Sequence, residues 1–242
     1  MAVQTMNLTK KFKDKTAVNS LNLSIEQGEL FALLGVNGAG KTTTIKMLTC
    51  LSKPTDGDAT LLGGSIVSNP YAVKEKINVS PQETAVARNL SVRENLEFIA
   101  RIYGFKRKTV EKKVDEMLTT FSLMEVSKDK AKTLSGGMQR RLSIAMALIS
   151  NPQILFLDEP TLGLDVIARR ELWTAIKKLK GKITIILTTH YMEEAEALSD
   201  RIGIMAKGKL KAVGTAAELM AKKNAKTLED AFISLAAKEE AE

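Results

Sequence analysis

The sequence predicts an α/β protein: a parallel sheet covered on both faces, preceded by an antiparallel β portion and interrupted by an inserted α-helical subdomain. Three features predict it. Short, fully apolar runs at 30–34, 154–157 and 183–187 have the length and composition of strands buried on both sides. Strand and helix patterns alternate around these runs, as a parallel sheet requires. Between the first run and the second, residues 83–149 change to helical period with no convincing strand among them.

Taken in order, alternation at 3–8 and 21–25 marks two antiparallel strands separated by a polar, lysine-rich turn. Residues 30–34 form a core strand and 41–50 the helix after it, and the stretch from Pro54 to Gly57 ends that unit. Short strands follow at 59–62 and 77–79. Apolar residues recur at helical spacing over 90–103, 109–123 and 137–149. The α/β pattern resumes with a strand at 154–157, a helix at 166–179 and a strand at 183–187. A hairpin at 202–213 and two short helices complete the chain, with a Lys/Ala/Glu tail from 236 expected to fray. The organisation is one domain: 1–82 and 150–213 form the core, 83–149 the helical subdomain and 214–242 a helical tail.

A chain of 242 residues with 44% hydrophobic content can bury a full core. No run approaches the roughly 18 apolar residues of a membrane-crossing helix, and the first residues lack a signal-peptide core, so a cytoplasmic location is expected. The single cysteine, Cys50, has no partner for an internal disulfide and fits a reducing compartment. The net charge of +8 raises the question of nucleic acid, but the lysines are scattered and interleaved with acids, as at Glu111, Asp115 and Glu116. Aromatic residues make up 5%, too few for a base-stacking platform, so no nucleic-acid partner is expected.

The chemistry lies at the strand ends, where open parallel sheets bind ligands. The first apolar run delivers Gly35-Val36-Asn37-Gly38-Ala39-Gly40-Lys41-Thr42, a full match to the phosphate-cradling pattern G-x-x-x-x-G-K-[ST] in strand–loop–helix context. Glycines turn backbone N–H groups toward a polyphosphate, and the helix that follows, from Lys41 through Thr42 and Thr43, offers its positive end to the same anion. Lys41 supplies a point charge for the outer phosphates, and the Thr42 hydroxyl is a magnesium ligand. The second run delivers Asp158, placed for magnesium, and Glu159, placed to polarise a water for attack on the terminal phosphate. The third delivers His190, which can hold water and phosphate in line. Leu134-Ser135-Gly136-Gly137 repeats the anion-binding logic at the start of another helix. Two phosphate grips so far apart either fold together or serve a nucleotide shared with a second copy.

In sequence, the phosphate loop, Gln82, Leu134-Ser135-Gly136-Gly137, the 154–160 strand end, Gly163-Leu164-Asp165 and His190 resemble the ATP-binding subunit of ABC transporters over nearly the whole chain. The resemblance implies a phosphate-loop NTPase core of RecA-like type and a nucleotide sandwiched between two subunits facing head to tail. Lys41, Thr42, Gln82, Asp158, Glu159 and His190 would come from one subunit, Ser135 and Gly137 from the other. Asp165 would lie at their interface, Gln82 would also ligate magnesium and report nucleotide status to the helical subdomain, and Phe12 would stack on adenine. A hairpin core residue is the competing reading for Phe12. ATP is favoured over GTP because no N-K-x-D guanine motif is visible. The resemblance further implies a membrane transporter subunit as partner, contacted near residues 83–93, and a peripheral position at the cytoplasmic face. Met138 stands where the usual signature has glutamine, and with residues 90–96 and 227–232 it resembles export ATPases of the ABC-2 type. Alternatives are an importer subunit, or a soluble ATPase acting on DNA or the ribosome. The single cassette and modest insertion speak against the latter.

Overall fold

The structure, a computed structural model, describes residues 1–236. In chain order, β1 (Val3–Phe12), β2 (Lys15–Leu21) and β3 (Ser24–Ile25) precede the first core strand, β4 (Leu30–Leu34), and its helix α1 (Lys41–Leu48). Then come β5 (Asp56–Leu61), β6 (Gly64–Ser65), α2 (Pro70–Lys74) and β7 (Ile77–Ser80). The helical stretch holds α3 (Val92–Ile102), α4 (Arg107–Thr120), a 3-10 turn at Ala131–Thr133 and α5 (Gly136–Leu148). It is followed by β8 (Ile154–Asp158), α6 (Val166–Lys177), β9 (Thr184–Thr189), α7 (Met192–Leu198), β10 (Arg201–Ala206), β11 (Lys209–Gly214), α8 (Ala216–Ala221) and α9 (Leu228–Ala236).

Two sheets result. The central one runs β11-β10-β4-β9-β8-β7, parallel throughout except for the β10–β11 hairpin. The other, antiparallel sheet runs β2-β1-β5-β6, with β3 paired to β1. Because side chains alternate across a strand, β4 feeds two cores. Leu30, Ala32 and Leu34 join the core that continues into the helical subdomain, through Leu142, Leu118 and Val92. Phe31 and Leu33 join the core under the antiparallel sheet, with Leu8, Leu61 and Ile45. Strand β8 divides the same way, Leu155 and Leu157 to one side, Ile154 and Phe156 to the other. This double burial is why these strands read as unbroken apolar runs. It also fixes their register, since a one-residue slip would exchange the two faces.

Helix starts follow local chemistry. Ser91 and Glu94 form a capping box at α3, Thr215 and Glu218 another at α8, and Asp165 caps α6 through two amides. The amino end differs from the sequence expectation. The lysine-rich turn is paired structure: β1 extends to Phe12 and meets β2 in a hairpin whose tight turn is Lys13-Asp14. Its outer faces are solvated, so hydrophobic alternation does not mark it. The strand expected at 21–25 divides between β2 and β3. Elements β6, α2 and α7 were not anticipated; α2 does carry a start signal, Asn69 as cap with Pro70 in the first turn. Apart from Ala236, which ends α9, the expected tail lies outside the described residues.

Candidate active site

The phosphate loop folds as a cradle in which Gly35 and Gly40 occupy positions with no room for a side chain. A Cβ on Gly35 would fall 2.4 Å from the Met205 carbonyl oxygen. One on Gly40, at φ 105°, would fall 2.4 Å from that of Ala17. Gly40 caps α1 without any side-chain hydrogen bond, leaving the first amides of the helix free for an anion. Lys41 is buried and folds back over the loop, donating to the carbonyls of Gly35 at 2.6 Å and Val36 at 3.3 Å. Its Nζ also pairs with Glu159 Oε1 at 3.1 Å.

The acids arrive on β8, two strands from β4, with β9 between them. Asp158 Oδ1 accepts from Thr188 Oγ1 at 2.5 Å and from Thr42 Oγ1 at 3.2 Å. The phosphate-loop helix and the acid strand thus meet at one oxygen. Glu159 sits in the left-handed region at φ 48°, unusual for a side chain of its kind and held there by two contacts of its amide to Thr188. Its other carboxylate oxygen, Oε2, accepts from His190 Nδ1 at 2.6 Å. That places the proton on Nδ1 and leaves Nε2 of His190 for a further partner. Lys41, Glu159 and His190 line one cavity of about 340 Å³ with Gln82, Phe12 and Lys15. Phe12 is 51% exposed, so it is no hairpin core residue.

Not every expected site residue enters this cavity. Gly35, Val36 and Asp158 do not line it but are hydrogen-bonded to Lys41 or Thr42, which do, whereas Ser135, Gly136, Gly137 and Asp165 line no part of it. Ser135 caps α5 and Gly136 faces open space, whereas Gly137 lies against α6, where an added Cβ would meet that of Ala168 at 2.8 Å. The signature and the Asp165 turn are therefore neighbours on a separate surface, with Val166 and Ile167 exposed beside them. A larger cavity, about 620 Å³, lies at the amino ends of β8 and β9 near Gln153 and Thr184, and none of the expected site residues lines it.

Of the buried charged residues that escaped sequence reasoning, two bear on the site. Arg140, on α5, is 4% exposed and donates to backbone carbonyls around the site. Burial lowers its pKa to about 10, opposed by Asp158 and Glu194. Glu194, on α7, is fully buried and accepts from Trp173 Nε1 at 3.1 Å. Burial raises its pKa above the ordinary 4.5, only partly opposed by the Trp173 hydrogen bond and the nearby Thr189 and Thr161 hydroxyls. No motif marks either residue; the one available signal is a charge on the apolar face of an amphipathic helix. Glu194 carries a stability prediction. Its ionisation opposes folding once pH rises above its unfolded value, and below pH 4.5 it is protonated in both states. Glu194→Gln keeps an acceptor for Trp173, so its melting temperature should exceed the parent's at pH 8, the gain fading toward pH 4.5. Thermal melts across that range check this, and a pH-independent difference would refute it.

The donor set fits Mg-nucleotide: an uncapped helix end, a lysine, and hydroxyl and carboxylate oxygens converging at 3.2 Å. A glycine loop after β4 and an acid pair on the next strand but one define a phosphate-loop NTPase. Within that class, residues 18–162 match the ABC transporter family, and the chain belongs to it. It is 42% identical over 217 residues to the human phospholipid-transporting ATPase ABCA3, covering 88% of this chain and 13% of that protein. It is 40% identical over 227 residues to the linearmycin resistance ATP-binding protein LnrL of Bacillus subtilis, covering 93% of this chain and 73% of the relative. The dimeric post-hydrolysis structure of the ATP-binding cassette MJ0796, bound to ADP and Pi, superposes with a TM-score of 0.78 at 28% identity, covering 88% of this chain and 98% of that one. The fold is that of an ABC ATPase cassette. The chain spans well under a quarter of the length of ABCA3, whose own activity belongs to a far longer protein.

Proposed function

We propose that this ATPase cassette binds and hydrolyses Mg-ATP as a head-to-tail dimer and powers export through a separate membrane subunit. The observation that carries it is the Lys41–Glu159–His190 network, its ion pair buried and His190 partly exposed, at the mouth of the phosphate loop. Lys41 would release Glu159 to engage phosphate, and Glu159 would then accept the proton of the attacking water. His190, held through Nδ1, would keep Nε2 toward water and phosphate. Thr42 and Asp158 would hold magnesium, with Gln82, which lines the same cavity, as a further ligand. When bound, that ion supplies positive charge to the phosphate oxygens. Phe12, exposed at the cavity rim, would stack on adenine, with the loop residues from Gly35 to Thr43 along the phosphates.

The dimer is supported by the placement of Ser135, Gly136, Gly137 and Asp165 outside the chain's own cavity, where a second copy can use them. The dimeric MJ0796 cassette supports the same arrangement. Among the described residues no helix is long and apolar enough to cross a membrane, and the transported substrate would be selected by the membrane subunit. Export as the direction is supported by likeness to LnrL, named for linearmycin resistance. Position at the cytoplasmic face follows from the partner.

The test is a pull-down from detergent-solubilised membranes with Glu159→Gln protein and ATP, read by mass spectrometry. A polytopic membrane protein in stoichiometric amount is expected. Ribosomal proteins or DNA, without a membrane protein, would overturn the transport reading while leaving the catalytic chemistry intact.

A further inference from the structure

Arg140 occupies a position for which packing offers no reason. Helix α5 is already anchored by Leu142, Ile144 and Ala145, all fully buried. A charged side chain beside them must be desolvated, and an apolar residue would fill the space at less cost. Among the described residues the guanidinium is paired with no carboxylate, although such a burial usually demands one. It donates instead to four backbone carbonyls: Nε to Pro160 at 2.9 Å, Nη2 to Asp158 at 2.9 Å, Nη1 to Gln82 at 3.3 Å and, more closely, to Pro81. These carbonyls belong to two different segments, the end of β8 and the turn after it, which carry Asp158 and Glu159, and the turn after β7 that bears Gln82. The planar fork of arginine is the one side chain able to span both.

Resting on the function proposed above, we propose that Arg140 is a positioning residue that fastens the signature helix to the Gln82 turn and the acid turn, so that nucleotide sensed by Gln82 sets the angle at which Ser135 meets the partner's nucleotide. Arg140 lies in the second turn of α5, and Ser135 is that helix's cap. A displacement of the Gln82 carbonyl therefore reaches Ser135 through one side chain and a short length of helix. The covalent route, through residues 83–134, crosses two helices and several turns. Arg140 touches neither nucleotide nor magnesium in this scheme and acts on how Gln82 and Ser135 are held relative to each other.

The experiment uses the full chain carrying Glu159→Gln, with Mg-ATP as the probe. Sedimentation velocity gives the protein concentration for half-dimerisation, and nucleotide binding by the protomer is measured separately in EDTA. Arg140→Lys keeps the charge but replaces the fork with a point donor; Arg140→Gln is run beside it so that one misfolded variant does not decide the outcome. Protomer binding should stay within about twofold of the parent, since Arg140 does not line the nucleotide cavity. The half-dimerisation concentration should rise at least about tenfold. Gln82→Ala should raise it as well, and the double variant with Arg140→Lys should show no more than the larger single effect, because both break the same link. Unchanged dimerisation in the Arg140 variants, or two effects that multiply, would overturn the proposal. Failure of the Glu159→Gln parent itself to dimerise with ATP would instead overturn dimer closure, and the proposal with it.

Discussion

Glu159→Gln should retain nucleotide and nearly abolish turnover, with phosphate release falling by roughly 100- to 10,000-fold, the span associated with loss of a general base. The isosteric amide still accepts from His190 and fills the same space, and Lys41 stays held by the carbonyls of Gly35 and Val36. What disappears is the carboxylate that can take a proton. A second consequence follows from the 3.1 Å contact between Lys41 and Glu159. In the free protein this carboxylate occupies the ammonium that phosphate would otherwise engage, so binding of ATP exchanges one anion for another. The neutral amide removes the competitor, and affinity should hold or tighten. Equilibrium binding together with phosphate release tests both halves. Normal turnover would exclude Glu159 as the base, and a large loss of affinity would exclude the exchange.

Lys41→Met should act on the opposite side of that exchange. Charge-assisted hydrogen bonds are worth about 1.5–3 kcal/mol each, so ATP affinity should fall by roughly 10- to 150-fold. The substitution also leaves the carboxylate of Glu159, 6% exposed, with His190 as its one remaining side-chain partner among the described residues. Breaking a buried ion pair from one side costs about 3–5 kcal/mol, and His190 at its partly exposed position offsets some of this. A lower melting temperature is therefore expected in the nucleotide-free protein. Adding Glu159→Gln should restore much of the lost stability without restoring binding, because the orphaned charge is then gone. Denaturation of the three variants separates these effects. Strictly additive destabilisation would mean that the Lys41–Glu159 contact contributes nothing.

The strands that carry chemistry were legible for a physical reason. Leu30–Leu34 and Ile154–Asp158 are buried on both faces, and a segment that serves two cores has no room for polar residues before its functional end. The abrupt change from apolar to Gly35 or to Asp158-Glu159 therefore marks both the strand and the site. The hairpin of β1 and β2 lacks that contrast. Its faces are largely solvated, lysines stand where alternation would show, and pairing depends on a neighbour the local sequence does not reveal. Arg140 and Glu194 were illegible for a related reason. Each is a charged residue in an otherwise ordinary amphipathic helix, and only tertiary contact separates a buried charge from a solvated one. Ser135 reads in the sequence as the start of a second anion site, but its separation from the chain's own loop is a fact of topology.

The β1–β2 hairpin sets Lys10, Lys11, Lys13 and Lys15 around exposed Phe12, with one acid, Asp14, among them. Lys15 and Phe12 reach the rim of the nucleotide cavity. A polyanion diffusing toward the loop meets this cluster before it meets Lys41. The local potential enriches it there and speeds encounter, an effect confined to about 8 Å at physiological ionic strength. Residues without any part in the reaction thereby set how often the cavity is visited, and dissolved salt becomes a control on its rate of filling.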